Sequence, residues 1–222
     1  MPDDRRVDFA AAALPPFILH LDAQLVVAVK PSGLPAVPGR AEGLQDCLSA
    51  RVQALVPDAL IVHRLDMATS GLMLFGRGIA AQRALSRQFA GREVGKTYVA
   101  VVAGRPESDE GEIDLPLLAD WPARPKQKVD RVHGKPSLTR YRVLAHDAAA
   151  GTSRLELTPV TGRTHQLRVH LMALGHPILG DALYAPPEVL ALAPRLLLHA
   201  QVLQFRHPET GAPLRFACPA PF

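Results

Sequence analysis

Six windows along the chain carry apolar residues in short runs or alternation: LVVAV (25–29), GLMLF (71–75), TYVAVVAG (97–104), LTRYRVLA (138–145), SRLELTPV (153–160) and QVLQFRH (201–207). Their lengths suit strands. Three further windows repeat apolar residues at helical spacing: LQDCLSARVQALV (44–56), IAAQRALSRQFA (79–90) and THQLRVHLMALG (164–175). In the second, Leu85 and Phe89 share one face and Arg83 and Arg87 another, so an apolar stripe packs inward and a basic one meets water. In the third, Leu167, Leu171 and Leu174 form the stripe, Thr164 stands where an N-cap belongs, and Gly175 with Pro177 marks the stop. Strands outnumber helices and rarely alternate with them one for one. That order predicts an α+β fold, a largely antiparallel mixed sheet with flanking helices and loops, rather than a doubly wound one.

The 222 residues are expected to form a single domain large enough to bury its own core. Proline clusters at 31–40, 114–127 and 185–194 read as ordered connectors within that domain. The two cysteines, Cys47 and Cys218, are far apart and make no CxxC, which argues against a zinc module or a disulfide scaffold and fits a reducing cytosol. At the N-terminus the apolar stretch Phe9–Ala13 is too short for a signal segment or a membrane span. The chain therefore reads as soluble and cytoplasmic, with no membrane partner.

Net charge is only +4, but the charge is segregated. Residues 106–120 carry six acids and no base, whereas 121–142 carry seven bases and one acid. In WPARPKQK, Lys126 and Lys128 suit contacts to phosphates, and Trp121 offers a stacking face. A solvated surface with opposite charges side by side explains the same composition equally well.

Two segments carry residues suited to chemistry. In VHRLDMATSGLMLF (62–75), Asp66 sits in a short polar loop beside Arg64, just ahead of an apolar strand. A guanidinium neighbour keeps a carboxylate ionised, as a nucleophile or base requires. On residue type alone a helix-capping or turn aspartate in a Ser/Thr-rich loop is the plainer reading of Asp66. The second segment, PVTGRTHQLRVHLMALGHPILGD (159–181), places Arg163, His165, Gln166, Arg168 and His170 within eight positions. One guanidinium there can hold a carboxylate while others remain for phosphate, and structural pairing of Arg168 with exposure of Arg163 is the plainer alternative. His165, His170 and His176 lack the i, i+4 spacing of paired helical ligands, so no metal is expected. The phosphate loop GxxxxGK[ST], the dinucleotide loop GxGxxG and the hydrolase elbow GxSxG do not occur.

These segments resemble the RluA family of pseudouridine synthases. The family's HRLDxxTSG loop stands here as His63–Gly71. The likeness extends through KPSGLPAVPGR (30–40), KTYVAVVAG (96–104), DLPLLADWPARPKQKV (114–129), TGRTHQLRVHLMALGHPILGDALYA (161–185) and RLLLHA (195–200). Because KPSG begins at Lys30, no room is expected for the N-terminal S4 domain of many relatives, and the RluA subgroup is the nearer likeness. The resemblance implies isomerisation of uridine to pseudouridine in tRNA and 23S rRNA, at uridine 32 and uridine 746 respectively, without cofactor or metal. It implies Asp66 as the catalytic aspartate, Tyr98 as the active-site tyrosine and Arg168 as the arginine paired with the aspartate. Arg64 becomes the arginine implicated in extruding the base and Leu198 an apolar floor beneath it, with Lys126, Lys128 and Arg163 as further RNA contacts. A uridine in a folded RNA must leave its stack to expose its glycosidic bond, and contacts to neighbouring phosphates offset that cost. Asp66 attack on C1′, addition to the base and elimination to a glycal all remain open. A monomer is expected. The competing readings are a non-catalytic RNA-binding module and a metal-dependent hydrolase built on the histidines.

Overall fold

A computed structural model describes residues 14–39 and 45–222. The apolar stretch Phe9–Ala13, Arg40 of the KPSG segment and Leu44 of the first helical window lie outside the described residues. In chain order the elements are β1 (Ile18–Leu21), β2 (Leu25–Lys30), α1 (Leu48–Leu55), β3 (Ala59–Ile61), β4 (Ser70–Arg77), α2 (Gly78–Ala90), β5 (Gly95–Ala103) and β6 (Glu110–Asp114). There follow β7 (Leu117–Ala119), β8 (Gln127–Val129), β9 (Leu138–Asp147), β10 (Thr152–Pro159), α3 (Gln166–Ala173), α4 (Pro187–Leu190), β11 (Leu198–Arg206) and β12 (Pro213–Ala217). Ten strands form one sheet in the order β1-β2-β4-β11-β5-β10-β9-β6, with β3 added to β4 and β12 to β11, while β7 and β8 make a separate hairpin. Among the described residues β4–β11 is the one parallel pairing. The fold is the expected α+β arrangement.

The six apolar windows become β2, β4, β5, β9, β10 and β11. The strands that periodicity did not signal have three to five residues each, too few to show a period. In β4 every residue from Ser70 to Gly76 is buried, because both faces are covered. Met73 and Phe75 pack with Leu48 and Val52 of α1, whereas Leu72 and Leu74 pack with Leu85 of α2 and with Leu203 and Phe205 of β11. A third cluster joins Ala100 and Val102 of β5, Leu155 and Leu157 of β10, and Leu167 and Leu171 of α3. Tyr98 touches both the first and the third cluster, and the functional cleft opens along that seam.

Helix boundaries moved where caps differed from expectation. α1 begins at Leu48 because the Cys47 sulfur accepts the Ala50 N–H. α3 begins at Gln166, with His165 and not Thr164 at its N-cap, in the left-handed region at φ 55°. Its end is as expected: Gly175 takes φ +90°, its N–H bonds to Met172 O at 3.0 Å and that of His176 to Leu171 O at 2.9 Å, a Schellman closure.

Candidate active site

Asp66 lies in the loop that joins β3 to β4, and this loop is tied down from several sides. Leu65 is buried in the first core cluster, and Thr69 N–H closes a turn on Asp66 O at 3.0 Å. The KPSG segment clamps the next two carbonyls. Lys30 Nζ and Gly33 N–H both donate to Met67 O, at 2.8 and 2.9 Å, and Ser32 Oγ donates to Ala68 O at 2.7 Å. Lys30 is fully buried and also donates to Pro31 O and Leu34 O. Burial pulls its pKa down to about 8, against the opposing pull of Asp66, yet three carbonyl acceptors call for the ammonium form. Gly71, where the loop enters β4, takes φ +118°, and a Cβ there would stand 2.3 Å from Ala200 O of β11. The SG of the loop is thus set by the parallel β4–β11 contact.

A short polar chain converges on the Asp66 carboxylate. Arg168, 4 % exposed, reaches Asp66 Oδ2 through Nη1 at 3.5 Å, but its two shorter bonds go to Asp181 at 2.8 and 2.6 Å. The bidentate partner is therefore Asp181, itself 1 % exposed, and Asp66 shares the remaining guanidinium nitrogen. Burial works against the Arg168 charge, but Asp181 and then Asp66 outweigh it and hold the guanidinium above its ordinary pKa. His165 Nε2 lies 3.8 Å from Asp66 Oδ2, and its Nδ1 is 2.6 Å from Tyr184 Oη. The Tyr184 ring also lies under the Arg168 guanidinium at 5.0 Å. Gln166 secures the loop before α3: its Oε1 accepts from Thr161 Oγ1 and Arg163 N–H, and its Nε2 donates to Leu138 O and Thr139 Oγ1. The expected stripe of α3 is present, yet its opposite face is buried too, because Gln166, Arg168 and His170 all spend their polar atoms inside.

These groups border a cavity of about 600 Å³, a size typical of small-molecule sites. Tyr98 of β5 pairs with Ala200 of β11, and Ala100 with Leu198, so Tyr98 and Leu198 point to one face of the sheet and both line the cavity. Burial first, and then the Asp66 charge, push the Tyr98 pKa up, so it stays a phenol. His63 stacks on Phe89 at 4.5 Å and its Nε2 accepts the Leu74 N–H at 3.0 Å, which makes it a neutral strut. Arg64, Arg92, Lys96 and Arg163 stand around the cavity.

Asp66, Tyr98, Arg168, Arg64, Leu198 and Arg163 are thus brought together. Lys126 and Lys128 are not among the lining residues. They are exposed and flank Gln127 at the β8 strand. Part of the basic 121–142 block is committed elsewhere: Arg140 pairs with Glu112 and Arg142 with Glu156 across strands, as the side-by-side reading had it. Arg124 covers the Trp121 ring at 3.7 Å. The three histidines weighed as metal ligands diverge. His165 faces Asp66, His170 bonds Thr139 and Leu115 O, and His176 bonds Ala103 O. Nothing in residue spacing pointed to Asp181, Tyr184 or the Lys30 clamp. Asp181 and Tyr184 meet Arg168 from a loop that only the fold brings near.

The RNA pseudouridylate synthase family model matches residues 24–173, which include the Asp66 loop, Tyr98 and Arg168. The chain belongs to this family. It is an RNA pseudouridine synthase, an isomerase, and the reading as a non-catalytic RNA-binding module gives way. It is 54 % identical over 205 residues to the dual-specificity RNA pseudouridine synthases RluA of Yersinia pestis and of Escherichia coli K12, covering 92 % of this chain and 99 % and 93 % of those proteins. Among solved pseudouridine synthases, the human RNA pseudouridylate synthase domain containing 1 superposes with TM-score 0.76 at 31 % identity, over 92 % of this chain and 83 % of that one. The human domain containing 4 protein gives 0.74 at 28 %, over 92 % and 88 %.

Proposed function

We propose that this chain isomerises uridine 32 of tRNA and uridine 746 of 23S rRNA, acting as a single-domain cytoplasmic monomer on a shared stem-loop shape. The observation that carries the site assignment is the half-buried Asp66 carboxylate, held at a cavity edge by Arg168 with Tyr98 and Leu198 alongside. The reaction breaks the N1–C1′ bond, forms a C5–C1′ bond, and loses one proton from C5 while N1 gains one. Nothing is oxidised or reduced and no group leaves the RNA, so the balance requires neither cofactor nor metal.

In this reading the Asp66 carboxylate acts on the ribose or base, and Arg168, 3.5 Å away, holds it in place. Tyr98, which burial keeps as a phenol, supports the uracil by stacking and can offer its O–H as a hydrogen-bond donor. Leu198 supplies the apolar floor. Arg64 fills the gap left by the extruded nucleotide, and Arg163 meets a flanking phosphate, with Lys126 and Lys128 contacting RNA farther out. Action on more than one RNA is supported by the names of the 54 % identical relatives, which are dual-specificity RNA pseudouridine synthases.

The test is Asp66→Asn in the full chain. Pseudouridine formation in tRNA and in a 23S rRNA fragment should vanish while RNA affinity stays within about twofold, because the amide removes the charge and little else. Turnover by that variant would overturn the assignment, and mapping of pseudouridine in cells lacking the protein would decide the two positions.

A further inference from the structure

From the catalytic carboxylate to the basic hairpin the side chains run through His165, which stands 3.8 Å from Asp66, and then through Tyr184, which is hydrogen-bonded both to His165 and to the hairpin backbone. The Gln127 backbone N–H in β8 donates to Tyr184 Oη at 2.8 Å, and Tyr184 Oη lies 2.6 Å from His165 Nδ1. A backbone amide can only donate. The phenol, whose pKa is raised mainly by burial, keeps its own proton and passes that hydrogen bond to Nδ1. His165 is then the Nε2–H tautomer, with that N–H facing Asp66 Oδ2 at 3.8 Å. His165 holds this position at φ 55°, in the left-handed region uncommon outside glycine. Lys126 and Lys128 flank Gln127, so whatever seats against the hairpin moves the first atom of the path.

We propose that His165 and Tyr184 are positioning residues that link RNA docking on the β7–β8 hairpin to Asp66, with the tautomer of His165 set by Tyr184. The inference rests on the pseudouridine synthase site described above and names how that site is aligned. His165 faces Asp66 and Arg64 from the catalytic loop, Arg168 from α3, and Asp181 and Tyr184 from the segment after α3. Burial outweighs the two carboxylates and keeps the ring neutral.

The test compares the full chain with Tyr184→Phe and His165→Gln. Nitrogen-15 NMR of the unmodified protein should show Nδ1 unprotonated and Nε2 protonated, with both signals shifting when tRNA is added. In Tyr184→Phe the tautomer preference should disappear. Its single-turnover isomerisation rate should fall about tenfold with RNA Kd within twofold, and the acid limb of the pH–rate profile should move up as Nδ1 becomes free to protonate. His165→Gln, which retains an N–H donor, should keep more rate than His165→Ala. An Nδ1–H tautomer in the unmodified protein would overturn the link, as would a Tyr184→Phe variant with unchanged rate and pH profile. The NMR arm needs no turnover, so absence of pseudouridine in every variant would count against the function and leave the link decided separately.

Discussion

Removing the Asp181 charge is the most informative single perturbation. Asp181 and Arg168 are 1 % and 4 % exposed and joined by two bonds of 2.6 and 2.8 Å, so Asp181→Asn leaves a buried guanidinium short of its main partner. Breaking such a pair from one side costs about 3–5 kcal/mol, because the surviving charge stays desolvated. At about 2–4 °C per kcal/mol for a chain of this size, the melting temperature should fall by roughly 6–20 °C. Arg51–Asp46 provides the control: it is as short, at 2.6 Å, but 47 % and 60 % exposed, so Asp46→Asn should leave the melting temperature unchanged. Activity should respond as well. With Asp181 neutral, the guanidinium turns toward Asp66, now its one charged partner, and the isomerisation rate should drop more than RNA affinity does. Release of tritium from C5 of labelled uridine measures the first, and filter binding the second. Equal thermal shifts in the two variants, or a normal rate in Asp181→Asn, would refute the view that Arg168 is anchored by Asp181 and shared with Asp66.

Two further perturbations test the supports of the loop. His63 is held neutral, its pKa pushed down to about 3 by burial and then by Lys96, against about 6.5 in the unfolded chain, so the unfolded state binds the extra proton between those values. Stability should be level above pH 6.5 and fall as pH drops below it, by about 2 kcal/mol at pH 5 from His63 alone; urea melts should show this slope, and His63→Gln should remove that share while the buried His165, His170 and His199 keep theirs. Gly71→Ala and Gly33→Ala separate strain from collision. Both glycines have positive φ, but a Cβ at Gly33 meets nothing within 4 Å whereas at Gly71 it strikes the Ala200 backbone. Gly33→Ala should therefore cost about 1–2 kcal/mol, while Gly71→Ala should fail to give folded protein, and equal melting temperatures would contradict the assigned β4–β11 contact.

Strands of six to ten residues and α2 were legible because each is long enough for a period to show, and HRLDMATSG and QLR were legible as motifs. Lys30 was visible as a letter of KPSG, but its task was not, since three carbonyls from two segments converge on it in the folded chain. Asp181 and Tyr184 were hidden for the same reason: α3 holds Arg168 and His165 at one end, and a turn thirteen or more residues later returns the partners. Charge density proved a poorer guide than pairing. Arg140 and Arg142 of the basic block neutralise Glu112 and Glu156 across strands, whereas Arg64, in a loop of mixed composition, makes no ion pair among the described residues and stands at the cavity. A guanidinium already beside a carboxylate has much of its charge neutralised and draws phosphate less strongly, whereas one without a partner keeps its full attraction. RNA contacts on this surface should therefore follow the cations without an ion pair among the described residues, Arg64 and Arg163 at the cleft and Lys126 and Lys128 on the hairpin, and not the paired Arg140 and Arg142 of the same basic block.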